Sequence, residues 1–267
     1  MIRPKQVFRK HSTTYYYASR FLPKEKRERV EILYAFVRIP DEYVDNEVQH
    51  PKKYYEYKKD WSRENSNHPV VKSFKEVQKK TGIKNEWVES FFASMEMDLE
   101  KKTYKTQEDL NKYIYGSAEV IGLMMCQILT VSSTWHEEAK GLGWFMQYVN
   151  MLRDVEEDLN NGLIYIPQEK LREYNIENLE YCLDTKDKRL CTLIRKEATE
   201  ALEKYDTIKK GIQAIPYPLR IAIQTAADMY VWTAKELIRD TETALETKKI
   251  PSKTKTILTG AKNIITC

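Results

Sequence analysis

The sequence predicts an all-α protein, with residues 1–267 folding as one domain, and three observations predict it. Glycine and proline are scarce, at 8 and 9 of 267 residues. That is well under the average usage of about 7% and 5%, and it favours long helices over a turn-rich β fold. Apolar residues recur at spacings of three and four in several stretches, the period with which a helix buries one face. No fixed-period repeat, low-complexity tract or linker divides the chain. A bundle of about eight to ten helices fits this pattern.

Over residues 25–38, Val30, Leu33, Tyr34 and Val37 share one helical face. Pro40 is expected to interrupt or kink that helix, because proline removes a backbone donor and clashes with the preceding turn. The Tyr- and Lys-rich stretch 50–68 reads as an exposed, irregular connection or short helices. Trp87, Phe91, Phe92, Met95 and Leu99 form a strong apolar helical stripe. From Glu108 to Val131 the chain reads EDLNKYIYGSAEVIGLMMCQILTV, apolar on most sides after its first turn, as a helix in the middle of a bundle must be. A further helix is expected from Glu137 to Leu159, stopped by Asn160, Asn161 and Gly162. Two late helices cover 189–211 and 218–246, the second with Pro218 suited to its first turn.

Charge and cysteine usage narrow the function classes. Lys and Arg (44) nearly balance Asp and Glu (40), and the net +4 gives no reason to expect a nucleic acid partner. It is compatible with an anionic ligand or a membrane surface. Cys126, Cys182, Cys191 and Cys267 stand far apart, without the spacing of a zinc site or a disulfide framework, so reduced thiols are expected. The N-terminal stretch MIRPKQVFRKHSTTYYYASR lacks the apolar core of a secretory signal, and no run reaches the ~18 apolar residues of a spanning helix. A cytoplasmic protein follows, with peripheral membrane contact left open.

Two acidic pairs carry the chemistry. Asp41 and Asp45 are four apart, as are Asp154 and Asp158, a spacing that projects both carboxylates from one helical face. Such a pair suits Mg²⁺, which binds one or two carboxylates together with substrate phosphates and retains several waters. Taken alone, either pair marks a solvated helix face more often than a metal site. The surroundings shift the balance: Gln147, Asn150, Asp154 and Asp158 form one polar stripe in an otherwise apolar segment, and buried polar groups are costly without partners. Tyr34, Arg38, Asp41 and Asp45 follow a similar helical spacing, i, i+4, i+7, i+11, across Pro40. Arg38 and Arg153 either pair structurally with the acids or hold a diphosphate. Glu42, Glu47, Glu156 and Glu157 are expected to be solvated or to pair locally.

These stretches resemble the squalene/phytoene synthase family, which joins two prenyl diphosphates head to head. The resemblance runs through HSTTYYYASRFLPKEKRERVEILYAFVRIPDEYVDN, MDLEKKTYKTQEDLNKYIYGSAEVIGLMMCQIL, QYVNMLRDVEEDLNNGLIYIP and PLRIAIQTAADMYVWT, and the wording looks most like prokaryotic phytoene synthases. It implies an isoprenoid synthase-type helical bundle around a central apolar cavity, with acidic motifs facing each other across its mouth. Asp41, Asp45, Asp154 and Asp158 match the metal-binding motifs, implying Mg²⁺, with Mn²⁺ as a substitute. Arg38, Gln147, Asn150 and Arg153 match positions around the metals and diphosphates, and Ser12 and Tyr15 match the N-terminal flap. Tyr34, Tyr113 and Tyr230 match positions in or beside the cavity, Tyr230 among those implied to be catalytic.

By the same resemblance, two C20 diphosphates would give phytoene through a cyclopropylcarbinyl diphosphate, and the apolar run Val120–Leu129 would line the tunnel, Gly122 permitting close approach. Glu119 stands where relatives often carry a small residue, and is expected to alter charge or packing at the cavity. The family's C-terminal basic position is not placed in ALETKKIPSK. Three alternatives stay open: a squalene or dehydrosqualene synthase using two C15 diphosphates, with NADPH only if squalene-forming; a cyclase acting on one diphosphate; and a non-catalytic binding protein. The basic, Ile- and Leu-bearing C-terminal stretch either packs on the bundle as a last helix or lies at a membrane surface.

Overall fold

A computed structural model of the protein describes residues 3–45 and 48–266. Glu47 and Cys267 lie outside the described residues. In chain order the helices are α1 (Pro4–His11), α2 (Thr13–Ala18), α3 (Lys24–Val44), α4 (Pro51–Ser62), α5 (Pro69–Thr81), α6 (Asn85–Glu100), α7 (Gln107–Ile114) and α8 (Val120–Leu129). There follow α9 (His136–Arg153), α10 (Val155–Asn160), α11 (Gln168–Glu173), α12 (Leu179–Asp184), α13 (Lys188–Ile208), α14 (Lys210–Gln213), α15 (Leu219–Arg239), α16 (Thr241–Glu246) and α17 (Lys253–Thr266). Among the described residues the β structure is one parallel bridge, Thr103 to Ile164.

The helices gather two apolar clusters. One is built by α3, α5, α6 and α8 around Phe36, Phe74 and Phe92. The other is built by α9, α13 and α15 around Phe145, Leu193 and Ala227. α8 and α9 join them. The backbone of α9 approaches α8 so closely that a Cβ on Gly122 would meet the Ala139 carbonyl oxygen at 2.4 Å, and it approaches the turn before α8 so closely that one on Gly143 would meet the Ala118 oxygen at 2.5 Å. Only glycine fits either position.

Pro40 does not end α3, which runs through it to Val44. The reason lies on α4. Proline at 40 frees the carbonyl of Phe36 one turn earlier, and the buried Tyr57 hydroxyl donates to that oxygen at 3.1 Å. Of the two readings of stretch 50–68, an irregular connection or short helices, the second holds, and α4 has a structural task. Its Asp60 accepts from Asn67 N and His68 N, both at 3.1 Å, and from Ser66 Oγ, closing the turn into α5. Tyr57→Phe is therefore expected to leave the Phe36 carbonyl unpaired at a cost of about 1–2 kcal/mol, read as a lowered urea midpoint; an unchanged midpoint would contradict this role.

Other boundaries also differ. The long helix predicted over 108–131 contains a π turn at Tyr115–Glu119, and Glu119 is not among the cavity-lining residues. Lining positions on this turn and α8 fall at 117, 118, 121, 122, 125, 126 and 129, so Glu119 lies off that face and meets the charges of Lys140 and Lys204 instead. The helix predicted over 137–159 bends at Asp154 (φ −102°, ψ 17°). The helix predicted over 218–246 breaks at Asp240, whose side chain accepts from Thr243 N at 3.3 Å and starts α16.

Candidate active site

Two cavities adjoin along the seam between the clusters. The first, of about 460 Å³, is lined largely by polar side chains. The second, of about 320 Å³, is lined almost wholly by apolar ones from both halves of the chain. Tyr15, Tyr34, Val37, Ser117, Gln147 and Asn150 line both.

Each wall of the polar cavity has a clear origin. On one side α3 presents Tyr34, Arg38 and Asp41, and Asp45 follows as its C-cap (φ −94°, ψ −13°). Facing it, α9 presents Gln147, Asn150 and Arg153, continued by Asp154 at the bend and Asp158 on α10. The i→i+4 backbone bonds persist through both motifs, Asp45 N to Asp41 O at 2.9 Å and Asp158 N to Asp154 O at 2.8 Å, so each acidic pair keeps a common face. Ser12, Tyr15, Tyr113 and Tyr230 complete the cavity. Ser12 also caps α2, its Oγ accepting from Tyr15 N at 3.1 Å. Tyr15 stacks on Tyr230 with centroids 5.6 Å apart. Every site residue expected from the sequence thus lines one cavity.

The electrostatics of the two walls match. One acid of each pair has an arginine partner: Asp41 is ion-paired with Arg38, although burial still raises its pKa, and Asp154 is paired with Arg153, which donates from Nε at 2.7 Å and Nη2 at 2.6 Å. The other acid of each pair is exposed to repulsion. Burial and then Asp41 push Asp45 up to about 7, with Glu157 and Asp154 adding to the effect. Burial and then Asp154 and Asp45 push Asp158 up to about 9. Asp45 also sits at the negative end of the α3 dipole.

A cation between the walls would relieve this repulsion. Among the described residues no cluster of three or more His, Cys, Asp or Glu side chains is arranged to hold a metal ion by itself. The donors are instead two separated carboxylate pairs on opposite walls. That set fits Mg²⁺, which takes few protein oxygens and fills its octahedron with water and substrate phosphate.

Sequence reasoning missed several residues here. Lys248, in the loop after α16, reaches Asp154 Oδ1 at 3.1 Å and pairs with Glu157. Burial works against its ammonium, but these acids outweigh that and hold its pKa above the ordinary lysine value. Glu157 therefore pairs with a distant lysine rather than locally. Glu42 bridges His11 Nδ1 at 2.6 Å and Arg38 Nη2 at 3.2 Å, and so orients the arginine.

Beneath the acids lies Asp98, 1% exposed, which accepts from the hydroxyls of Tyr113 at 2.9 Å and Tyr165 at 3.1 Å. The Thr103–Ile164 bridge holds the Tyr165 segment in place. Asp98→Ala is expected to strand a buried hydroxyl and cost about 1–3 kcal/mol. An unaltered denaturation midpoint would contradict that.

Structural comparison places this arrangement among squalene-synthase-type folds. A crystal structure of a dehydrosqualene synthase in complex with ligand superposes with a TM-score of 0.87 at 24% identity, covering 98% of this chain and 94% of that one. Squalene synthase HpnC from Alicyclobacillus acidocaldarius gives 0.78 at 19% identity, covering 88% and 92%. Residues 8–255 match the family profile described as squalene/phytoene synthase, and the chain belongs to that family. It is a prenyltransferase. It is 26% identical to a phytoene synthase of Arthrospira platensis over 88% of this chain and 83% of the relative. It is also 26% identical to a 4,4'-diapophytoene synthase of Staphylococcus haemolyticus over 94% and 91%.

Proposed function

We propose that the protein condenses two geranylgeranyl diphosphates head to head into phytoene, with Mg²⁺ as its metal and Mn²⁺ able to replace it. The observation that carries this reading is the opposition of two acidic pairs across a polar cavity that adjoins an apolar one. Asp41, Asp45, Asp154 and Asp158 would hold the metal, which when bound draws charge from a leaving diphosphate. Arg38, Arg153 and Lys248 supply charge-assisted hydrogen bonds to the diphosphate oxygens, and Gln147 and Asn150 stand where the two cavities adjoin.

Departure of one diphosphate leaves an allylic cation at that junction. The faces of Tyr15, Tyr34 and Tyr230 stabilise positive charge there, and burial raises the pKa of the Tyr15 and Tyr34 hydroxyls, keeping them protonated. The apolar lining excludes the water that would quench the cation. The double bond of the second chain attacks, and loss of a proton gives a cyclopropylcarbinyl diphosphate. Loss of the second diphosphate, ring rearrangement and loss of another proton give phytoene. Two prenyl diphosphates thus yield one hydrocarbon, two diphosphates and two protons, with no reductant.

A second reading, condensation of two C15 diphosphates to dehydrosqualene, is favoured by the longer coverage of the diapophytoene synthase relative. Incubation with C15 and C20 diphosphates in parallel, with and without NADPH, followed by mass analysis of extracted hydrocarbon, separates the readings. A C40 hydrocarbon without NADPH supports the first, and a C30 product alone replaces it with the second.

A further inference from the structure

Helix α17 is turned inside out. Its buried positions are Thr256, Gly260 and Asn263. The Phe21 ring lies against Gly260, while Asn263 Nδ2 donates to Asp228 at 2.8 Å and to Thr225 at 3.3 Å. Facing outward are Ile257, Leu258, Ile264 and Ile265, at 40%, 64%, 47% and 87% exposure. They form two adjacent pairs seven residues, or two turns, apart on one side of the helix. A surface helix ordinarily buries its apolar stripe and exposes its polar one; a contiguous exposed apolar stripe marks an interaction surface.

The charge on this segment points to one kind of partner. Residues 247–266 hold Lys248, Lys249, Lys253, Lys255 and Lys262 and no Asp or Glu. Lys253 and Lys255 lie over the rings of Tyr17 and Trp232 at 5.2 and 4.6 Å, which fixes their charge beside the apolar stripe. Among the described residues no helix is long and apolar enough to cross a membrane.

We propose that α17 docks the protein on the surface of an anionic lipid bilayer. The helix lies in the interface with Ile257, Leu258, Ile264 and Ile265 at the acyl boundary and its lysines against lipid phosphates. A second copy of the chain fits the face less well, because twofold pairing of two α17 helices sets lysines against lysines without acids to offset them. The surface continues to the site: Ile250, 50% exposed, and Lys248 both line the polar cavity. Resting on the proposed function, this places the mouth where long-chain prenyl diphosphates and their hydrocarbon product partition, whereas the docking itself is independent of turnover.

Vesicle flotation tests it. Wild-type protein and the Leu258→Glu/Ile265→Glu double variant are mixed with vesicles of phosphatidylcholine alone or with phosphatidylglycerol, at low and high salt. Wild type is expected to float with the anionic vesicles and to lose about tenfold or more of that binding in high salt or on pure phosphatidylcholine. The double variant is expected to lose about tenfold or more on anionic vesicles, with its thermal midpoint and its turnover of detergent-dispersed substrate unchanged. Three results would overturn the proposal: wild type failing to float, the double variant floating equally well, or light scattering showing a wild-type dimer that the double variant converts to monomer. Failed flotation with intact turnover strikes only this docking surface, and intact flotation without turnover strikes only the prenyl-condensing reading.

Discussion

Asp158→Asn is expected to make the metal-free protein more stable above neutral pH while reducing Mg²⁺-dependent turnover by about 10³-fold or more. Both effects come from one cause. Burial, Asp154, Asp45 and Glu157 push the pKa of Asp158 up to about 9, and burial with Asp41 pushes Asp45 up to about 7. An acid whose folded value stands above its unfolded value of about 4 holds its proton more tightly when folded. The resulting stabilisation is complete below about pH 4 and is lost as pH rises through about 7 for Asp45 and about 9 for Asp158.

In EDTA the wild-type thermal midpoint should therefore decline across that interval, and Asp158→Asn should flatten its alkaline end. Mg²⁺ with inorganic diphosphate should raise the wild-type midpoint and leave the variant nearly unmoved. A variant that keeps its turnover, or whose metal-free midpoint tracks wild type at every pH, would contradict the assignment.

Leu129→Trp is expected to lower turnover of C20 diphosphate by about 10²-fold while changing that of C15 diphosphate only a few-fold. From the π turn through α8 the lining runs from Ser117, shared with the polar cavity, to Leu129, on the apolar cavity alone. At a rise of about 1.5 Å per residue those positions lie about 18 Å apart. Position 129 thus stands at the end remote from the acids, where a C20 chain extends one isoprene unit beyond a C15 chain. An indole added to a cavity of about 320 Å³ removes that room first. Parallel kinetics on the two substrates read the ratio; an equal loss on both would show that the chain does not terminate there.

What could be read from the sequence follows contact distance along the chain. The acidic pairs were legible because residues four apart on a helix must share a face, whatever the rest of the fold does. The polar stripe from Gln147 to Asp158 was legible for the same reason, and the bend at Asp154 left its i→i+4 bond intact. Pro40 misled because its remedy is not local: Tyr57, on the next helix, supplies the donor that Phe36 lacks. Asp98 sits in no recognisable spacing, and its partners are 15 and 67 residues away. Lys248 acquires meaning only when the loop after α16 returns to Glu157, 91 residues earlier. For α17 the sequence left two readings open, a packed last helix or a segment at a membrane surface, because the pattern alone does not show that Gly260 and Asn263 are the buried side.

The central claim is that two diphosphates are drawn into one site and joined. The most direct test incubates the purified protein with C20 diphosphate and Mg²⁺, with and without EDTA, and measures released diphosphate against extracted hydrocarbon. The account predicts a C40 hydrocarbon with two diphosphates released per molecule, both abolished by EDTA and by Asp41→Ala or Asp154→Ala. Absence of any hydrocarbon from C20 or C15 diphosphate, with or without NADPH, would contradict it.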